Sequence, residues 1–199
     1  MTDYPSKNSD ILYKTDFLQL KQTNYANGKK WFYAHRHNAK NIVVIIPVIK
    51  KCENTKIVFL TTKRPPLIAE EKAEFCIEFP AGLVGDENEK ETVDTAIQKE
   101  LLEETGLKAD KTFICAPLVS SSSGCTSETS VIAISEIYEE KLYQTPVSDN
   151  GIIEQIHKIP VCDVDNWLLQ KQKEKYAISS QVFAGLYFLK MHLDNVNNC

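Results

Sequence analysis

A chain of 199 residues, 43% hydrophobic and 25% charged, is long enough to bury a sizeable core and reads as one soluble globular body. Its formal net charge of -4 excludes a general binder of nucleic acid or of anionic membrane, so an anionic substrate needs a cation between itself and the protein. The opening MTDYPSKNSDILYK lacks the charged-then-apolar order of a secretory leader, and the longest apolar run, residues 42–49, is too short to span a bilayer; the expectation is a cytoplasmic protein without a membrane partner.

In chain order, FLQLKQTNY and KKWFYAHRH flank Ala26-Asn27-Gly28 and predict a β-hairpin, because Asn-Gly supplies the positive φ angles of a tight turn. Residues 1–40 are read as this hairpin segment and 41–199 as the body. NIVVIIPVIK is a nearly continuous β-branched run, as in a strand covered on both faces. KIVFLTT and EFCIEF predict two further strands, separated by a loop containing Arg64-Pro65-Pro66. A helix follows over 91–105, then strands at TFICAPLV, SVIAISEIY and GIIEQIHKIP, and helices near 163–174 and 178–193. The fold class is α/β, a sheet flanked by helices. Cys52, Cys76, Cys115, Cys125, Cys162 and Cys199 show no zinc-type spacing and are expected to be reduced and mostly buried. His35, His37, His157 and His192 show no ligand spacing either and read as surface or core histidines.

On the predicted helix Glu100, Glu103 and Glu104 stand at i, i+3 and i+4 and share one side, while Val93, Ile97 and Leu101 form an apolar row that seats the helix on a sheet. Like charges at this spacing repel, and negative charge near a helix C-terminus opposes the macrodipole. Either the face is simply solvated, or a hard divalent cation gathers the oxygens.

The spacing Gly85, five residues, Glu91, seven residues, then Lys99-Glu100-Leu101-Leu102-Glu103-Glu104-Thr105-Gly106-Leu107 resembles the Nudix box, G-x5-E-x7-R-E-U-x-E-E-x-G-U, with Lys99 in place of the arginine. Glu78 to Val84, Arg64-Pro65-Pro66 and Ser123 to Glu128 resemble the ADP-ribose and nucleoside-diphosphate-sugar pyrophosphatase branch of that superfamily. The resemblance implies a Nudix fold, an α/β/α sandwich with a mixed sheet preceded by an N-terminal β-hairpin that serves substrate binding and dimerisation. It implies a magnesium-dependent enzyme, manganese being an alternative metal, that cleaves a pyrophosphate bond. ADP-ribose, giving AMP and ribose 5-phosphate, is the leading substrate. A UDP-sugar, or a nucleotide-binding Nudix sensor without catalysis, is the alternative.

Carried over residue by residue, the resemblance makes Glu100 and Glu104 metal ligands, Glu103 a further ligand or the acceptor of Lys99, and the Ala81 carbonyl part of the coordination. Glu91 either ties the loop to the helix or serves as a favourable charge at the helix start. Phe17 and Trp31 match an aromatic pair that sandwiches the base, against a reading as core aromatics. Arg64 becomes a phosphate or ribose clamp, against a plain surface arginine; Glu78 binds ribose or orders the site, against strand-edge packing. Four departures stand out. Gly82, three residues before Gly85, occupies the glycine position usual after Pro-Ala, which implies a loop insertion among 85–90. Lys99 keeps the charge but not the planar fork of arginine. Ser123 stands sixteen residues past Leu107, where a proline marks ADP-ribose preference. The assisting loop glutamate aligns with Ile152, leaving Glu154 as the nearby substitute.

Overall fold

A computed structural model describes residues 5–51, 54–86, 88–147 and 152–197, so Cys52, Cys199 and Gly151 lie outside the described residues. The chain forms a three-stranded antiparallel sheet, β1 (Pro5–Lys14), β2 (Leu18–Tyr25) and β3 (Lys30–Arg36), and then a larger mixed sheet with helices on both faces. The expected N-terminal hairpin is β2 and β3, turning at Gly28 with φ 84. Strand β1 adds a third member that the polar SKNSD stretch does not announce; it pairs with β2 through two register shifts.

The larger sheet is built on β4 (Asn41–Ile49), which runs parallel to β9 (Thr129–Ile137) over its length. Side chains alternate across a strand. Val43, Ile45 and Ile49 pack with Ala96, Ile97 and Leu101 of α2 (Val93–Thr105), whereas Val44, Ile46 and Val48 pack with Val164 and Leu168 of α3 (Val164–Lys173) and Val182 and Leu189 of α4 (Ser180–Asn197). Both faces of β4 are therefore core, and the architecture is the expected α/β/α sandwich.

Strand β8 (Lys111–Ser120) continues the sheet beyond β9. On the other side β4 forks. It meets β5 (Lys56–Thr62) only at Val48 and Ile49, while its first half, Asn41 to Val44, pairs with β7 (Ala81–Val84). The far half of β5 pairs with β6 (Cys76–Glu78), and β10 (Ile153–Pro160) covers its other edge. The two-residue β11 (Ala177–Ile178) closes the sheet against β6. The ends of β5, β6 and β7 thus converge at the fork, opposite α2.

Two expectations are corrected nearby. The segment after Arg64 is a short helix, α1 (Pro65–Ala69), whose prolines sit in its first turn, where a missing N–H costs nothing. Of the described thiols only Cys76 is buried; Cys115 is half-buried, and Cys125 and Cys162 are exposed. Burial pushes the Cys76 thiol up to about 12, which keeps it protonated and inert. Cys115 packs against the edge of the core from β8 while Cys125 and Cys162 lie in surface turns, differences of position that composition cannot reveal.

Helix α2 is capped at both ends. Thr92 and Thr95 form a capping box, and Gly106 closes the helix in the left-handed region at φ 71. A Cβ there would overlap the backbone carbonyl of Gln144 and the Leu142 side chain. Gly106→Ala is expected to cost about 2–4 kcal/mol, since backbone strain and a backbone clash add, and a thermal melt showing no loss would remove this close approach.

Candidate active site

The fork of the sheet opens into a cleft of about 550 Å³, lined from β4 by Ile42 and Val44, from the strand ends by Arg64, Glu78 and Ala81 to Leu83, and from α2 by Lys99, Glu100, Glu103 and Glu104. Arg36, Asp86, Glu128, Val147 and Gln181 complete its wall. Six carboxylates face three cationic side chains in this lining.

Helix α2 sets the acidic side. Its apolar row fixes the rotation about the axis, so the i, i+3, i+4 carboxylates face the cleft. The backbone N–H of Ala81 donates to Glu104 Oε2 at 3.0 Å. Glu100 lies against Gly82, where a Cβ would overlap the carboxylate carbon; only glycine leaves that space. Desolvation, with the neighbouring Glu103, Asp86 and Glu91 charges adding to it against Lys99, pushes the Glu100 carboxyl up to about 7. Desolvation likewise pushes Glu104 up to about 8, helped by the Glu100 and Glu78 charges and opposed by the Ala81 N–H and Arg64. Both carboxyls are raised chiefly because burial disfavours their charged forms, a cost that a nearby cation would offset.

Around this pair the remaining groups are held in place. Gly85, at φ 82, donates its N–H to Glu91 Oε2 at 2.8 Å, so Glu91 ties the loop to the start of the helix. Glu78 Oε2 accepts from Arg64 Nε at 2.7 Å and from Thr62 Oγ1 at 2.7 Å, so the strand-end glutamate orients the arginine across the cleft. Arg36 donates to Glu128 at 3.2 Å.

A divalent cation fits this donor set. The donors are hard oxygens, a bare glycine backbone makes room for one carboxylate, and the raised carboxyls want a counter-charge. Among the described residues no three carboxylate, imidazole or thiol side chains converge on one point.

The other residues singled out in the sequence lie elsewhere. Trp31, half exposed, donates its indole N–H to the Gly124 carbonyl at 3.0 Å, on the loop that also carries Ser123. Trp31 pairs with Thr23 across the hairpin, whereas Phe17 lies six residues back along that strand, beside Leu18 paired with Arg36. That is about 20 Å at strand spacing, so one chain does not bring the two rings around one base. Glu154 sits at the register shift between Ile153 and Gln155 and pairs with Lys63 at 2.7 Å; Ser123, Phe17, Trp31 and Glu154 are outside the lining of the cleft. Of the histidines, His35 contacts Ser127, His157 contacts Thr61 and His192 contacts Glu136. Arg36, Glu128, Val147 and Gln181 carry no sequence signal of a site beyond Glu128 closing the Ser-Gly-Cys-Thr-Ser segment; they come from four distant parts of the chain.

No protein-family model matches the chain. The ADP-sugar pyrophosphatase of Mus musculus is 29% identical to it over 126 residues, 61% of this chain and 54% of that protein, so the chain spans about half the length of this curated relative. A crystal structure of an ADP compounds hydrolase matches it with a TM-score of 0.70 over 98% of this chain and 97% of the other, at 14% identity, a likeness of fold. Among the described residues no helix is long and apolar enough to cross a membrane.

Proposed function

We propose, for a chain that has the Nudix fold and resembles that superfamily's ADP-sugar pyrophosphatase branch, a magnesium-dependent hydrolase that cleaves the pyrophosphate bond of a nucleoside diphosphate sugar, ADP-ribose first among them. The observation that carries the reading is the charge of the cleft: six carboxylates against three cations form a poor site for a bare diphosphate and a good one for a diphosphate carrying a divalent metal. The aligned part of the mouse ADP-sugar pyrophosphatase supports the same substrate class.

Glu100 and Glu104, with the Ala81 carbonyl, would hold the metal, and Glu103 would take a further metal or accept from Lys99; manganese would serve in place of magnesium. When bound, the metal neutralises phosphate oxygens and makes water a stronger nucleophile near neutral pH. The protein's own part is positioning. Arg64, held by Glu78, and Arg36, held by Glu128, present guanidinium groups to the anionic oxygens, the geometry in which arginine binds phosphate best. Lys99 offsets the negative charge on α2. Gly82 keeps the Glu100 carboxylate close to the backbone of β7. By the resemblance Glu154, at the start of β10 and paired with Lys63, would be the assisting glutamate, reaching the cleft from outside its present lining.

Base recognition falls to the N-terminal sheet. Its strands leave Ile11, Leu12, Tyr13, Leu18, Leu20 and Phe32 exposed, an apolar area that a second copy of the chain would cover. A homodimer would also allow Phe17 of one chain and Trp31 of the other to approach one base. Trp31→Ala is then expected to raise KM by roughly 5- to 100-fold with kcat little changed, the worth of one base stacked on an aromatic ring. An unchanged KM would move the base elsewhere.

The test of substrate class offers ADP-ribose and UDP-glucose in parallel, at matched concentrations with magnesium. AMP from the first alone supports the proposal and shows that Ser123 substitutes for the marker proline. UMP alone moves the protein to the UDP-sugar side. Nucleotide binding without cleavage of either substrate contradicts hydrolysis and favours the sensor.

A further inference from the structure

The last turn of α2 holds an electrostatic conflict. Glu103 and Glu104 stand where the helix exposes its final carbonyls, so side-chain charge adds to the negative end of the dipole. The segment after β9 resolves it by folding back over the helix end with hydrogen-bond donors. Gln144 Nε2 donates to the Leu102 carbonyl at 3.1 Å, the Val147 N–H to the Glu103 carbonyl at 2.7 Å and the Tyr143 N–H to the Gly106 carbonyl at 2.9 Å. Gly106 permits this approach because it has no Cβ to meet the Gln144 carbonyl. Lys108 and Lys141 lie over the Tyr143 ring, 4.7 and 5.3 Å from its centroid, and bring positive charge to the same end. Val147, bonded to the backbone of Glu103, is also part of the cleft wall.

We propose that this segment is a positioning strap for the acidic helix and that Gln144, the side-chain donor among its three bonds, is a positioning residue for the carboxylates of the cleft. The inference rests on the reading of the cleft as a divalent-cation site. Gln144 touches neither metal nor substrate. It holds the helix end in pitch, and with it the direction in which Glu103 and Glu104 face the cleft. Two backbone donors in the strap would keep it attached when the side-chain donor is removed, so loss of Gln144 loosens the aim of the carboxylates more than it loosens the fold.

The experiment measures Mn2+ binding by electron paramagnetic resonance on wild-type protein, Gln144→Met, which keeps the volume but not the donor, and Gln144→Lys, which restores a donor and complements the helix end. Gln144→Met is expected to bind Mn2+ about tenfold more weakly and to lose about tenfold in kcat with an unchanged KM for the nucleotide, the scale of an outer-shell loss. Gln144→Lys is expected to return both to within about threefold of wild type. Equal binding by wild type and Gln144→Met, or equal impairment of the two variants, overturns the strap while leaving the cation site standing. A wild-type protein that binds no Mn2+ overturns the cation site, and the strap with it.

Discussion

Glu104→Gln is expected to lower turnover by about 10³-fold, equivalent to about 4 kcal/mol of transition-state stabilisation, and at the same time to make the metal-free protein more resistant to heat. The loss follows from chemistry, since a neutral amide is a poor ligand for a hard cation. The gain follows from the site's present charge. Desolvation, with the Glu100 and Glu78 charges, holds the Glu104 carboxyl at about 8, above its ordinary 4.5. A group raised in this way favours the folded state fully below about pH 4.5 and loses that contribution as pH rises through about 8. Glutamine is neutral throughout, and its oxygen can still accept from the Ala81 N–H. The variant should therefore melt like the wild type at pH 4 to 5 and above it at pH 8, by about 2–8 °C if 1–2 kcal/mol is recovered in a chain of this length. Saturating magnesium should close the gap by stabilising only the wild type. Melting curves over pH, with and without magnesium, test this; near-native activity in the variant, or a gap that shrinks with rising pH, would contradict the assignment of Glu104.

The second large effect is expected of Gly82→Ala, and it should fall on activity while sparing the fold. The new methyl would occupy the position of the Glu100 carboxylate. That carboxylate ends a flexible side chain, so it can swing away at little cost, and the melting temperature should stay within about 2 °C. Its metal-binding position would be lost, and displacement of such a group by about 1 Å can cost about 10²-fold in rate. Gly106→Ala makes the contrast, because there the methyl meets a backbone carbonyl that cannot swing away. A Gly82→Ala protein that melts early and keeps its specific activity would mean that Gly82 serves packing and not the site.

These contrasts show which information was local. Helix α2 was legible because its apolar row, its capping threonines and its closing glycine all lie within 92–106. The burial of β4 on both faces was legible from a nine-residue strand in which seven residues are β-branched and no polar alternation appears. Strand β1 was not, because its polar residues carry no strand signal and it is held by main-chain pairing with β2. Strand β7 was missed for a similar reason: Ala81 to Val84 is short, begins after a proline and becomes a strand only by pairing with β4. The two prolines after Arg64 marked a loop in sequence and the first turn of a helix in structure.

The site divides in the same way. The three glutamates of α2 and their common direction follow from helical spacing. The Arg36 to Glu128 pair, Val147 and Gln181 join the cleft only because the sheet forks where β4 leaves β5, a long-range event with no local pattern. The separation of Phe17 from Trp31 comes from the hairpin register, which fixes what two nearby positions in sequence can do together. Glu154 owes its place to an irregularity in the pairing of β10 with β5.

The most direct measurement of the central claim, that this cleft uses a divalent metal to hydrolyse a pyrophosphate, is phosphorus NMR of ADP-ribose incubated with the purified protein in magnesium and then in excess chelator. The account predicts disappearance of the diphosphate signals and growth of two phosphomonoester signals, those of AMP and ribose 5-phosphate, in magnesium only. Cleavage that continues unchanged in chelator would contradict it, as would an intact diphosphate in magnesium.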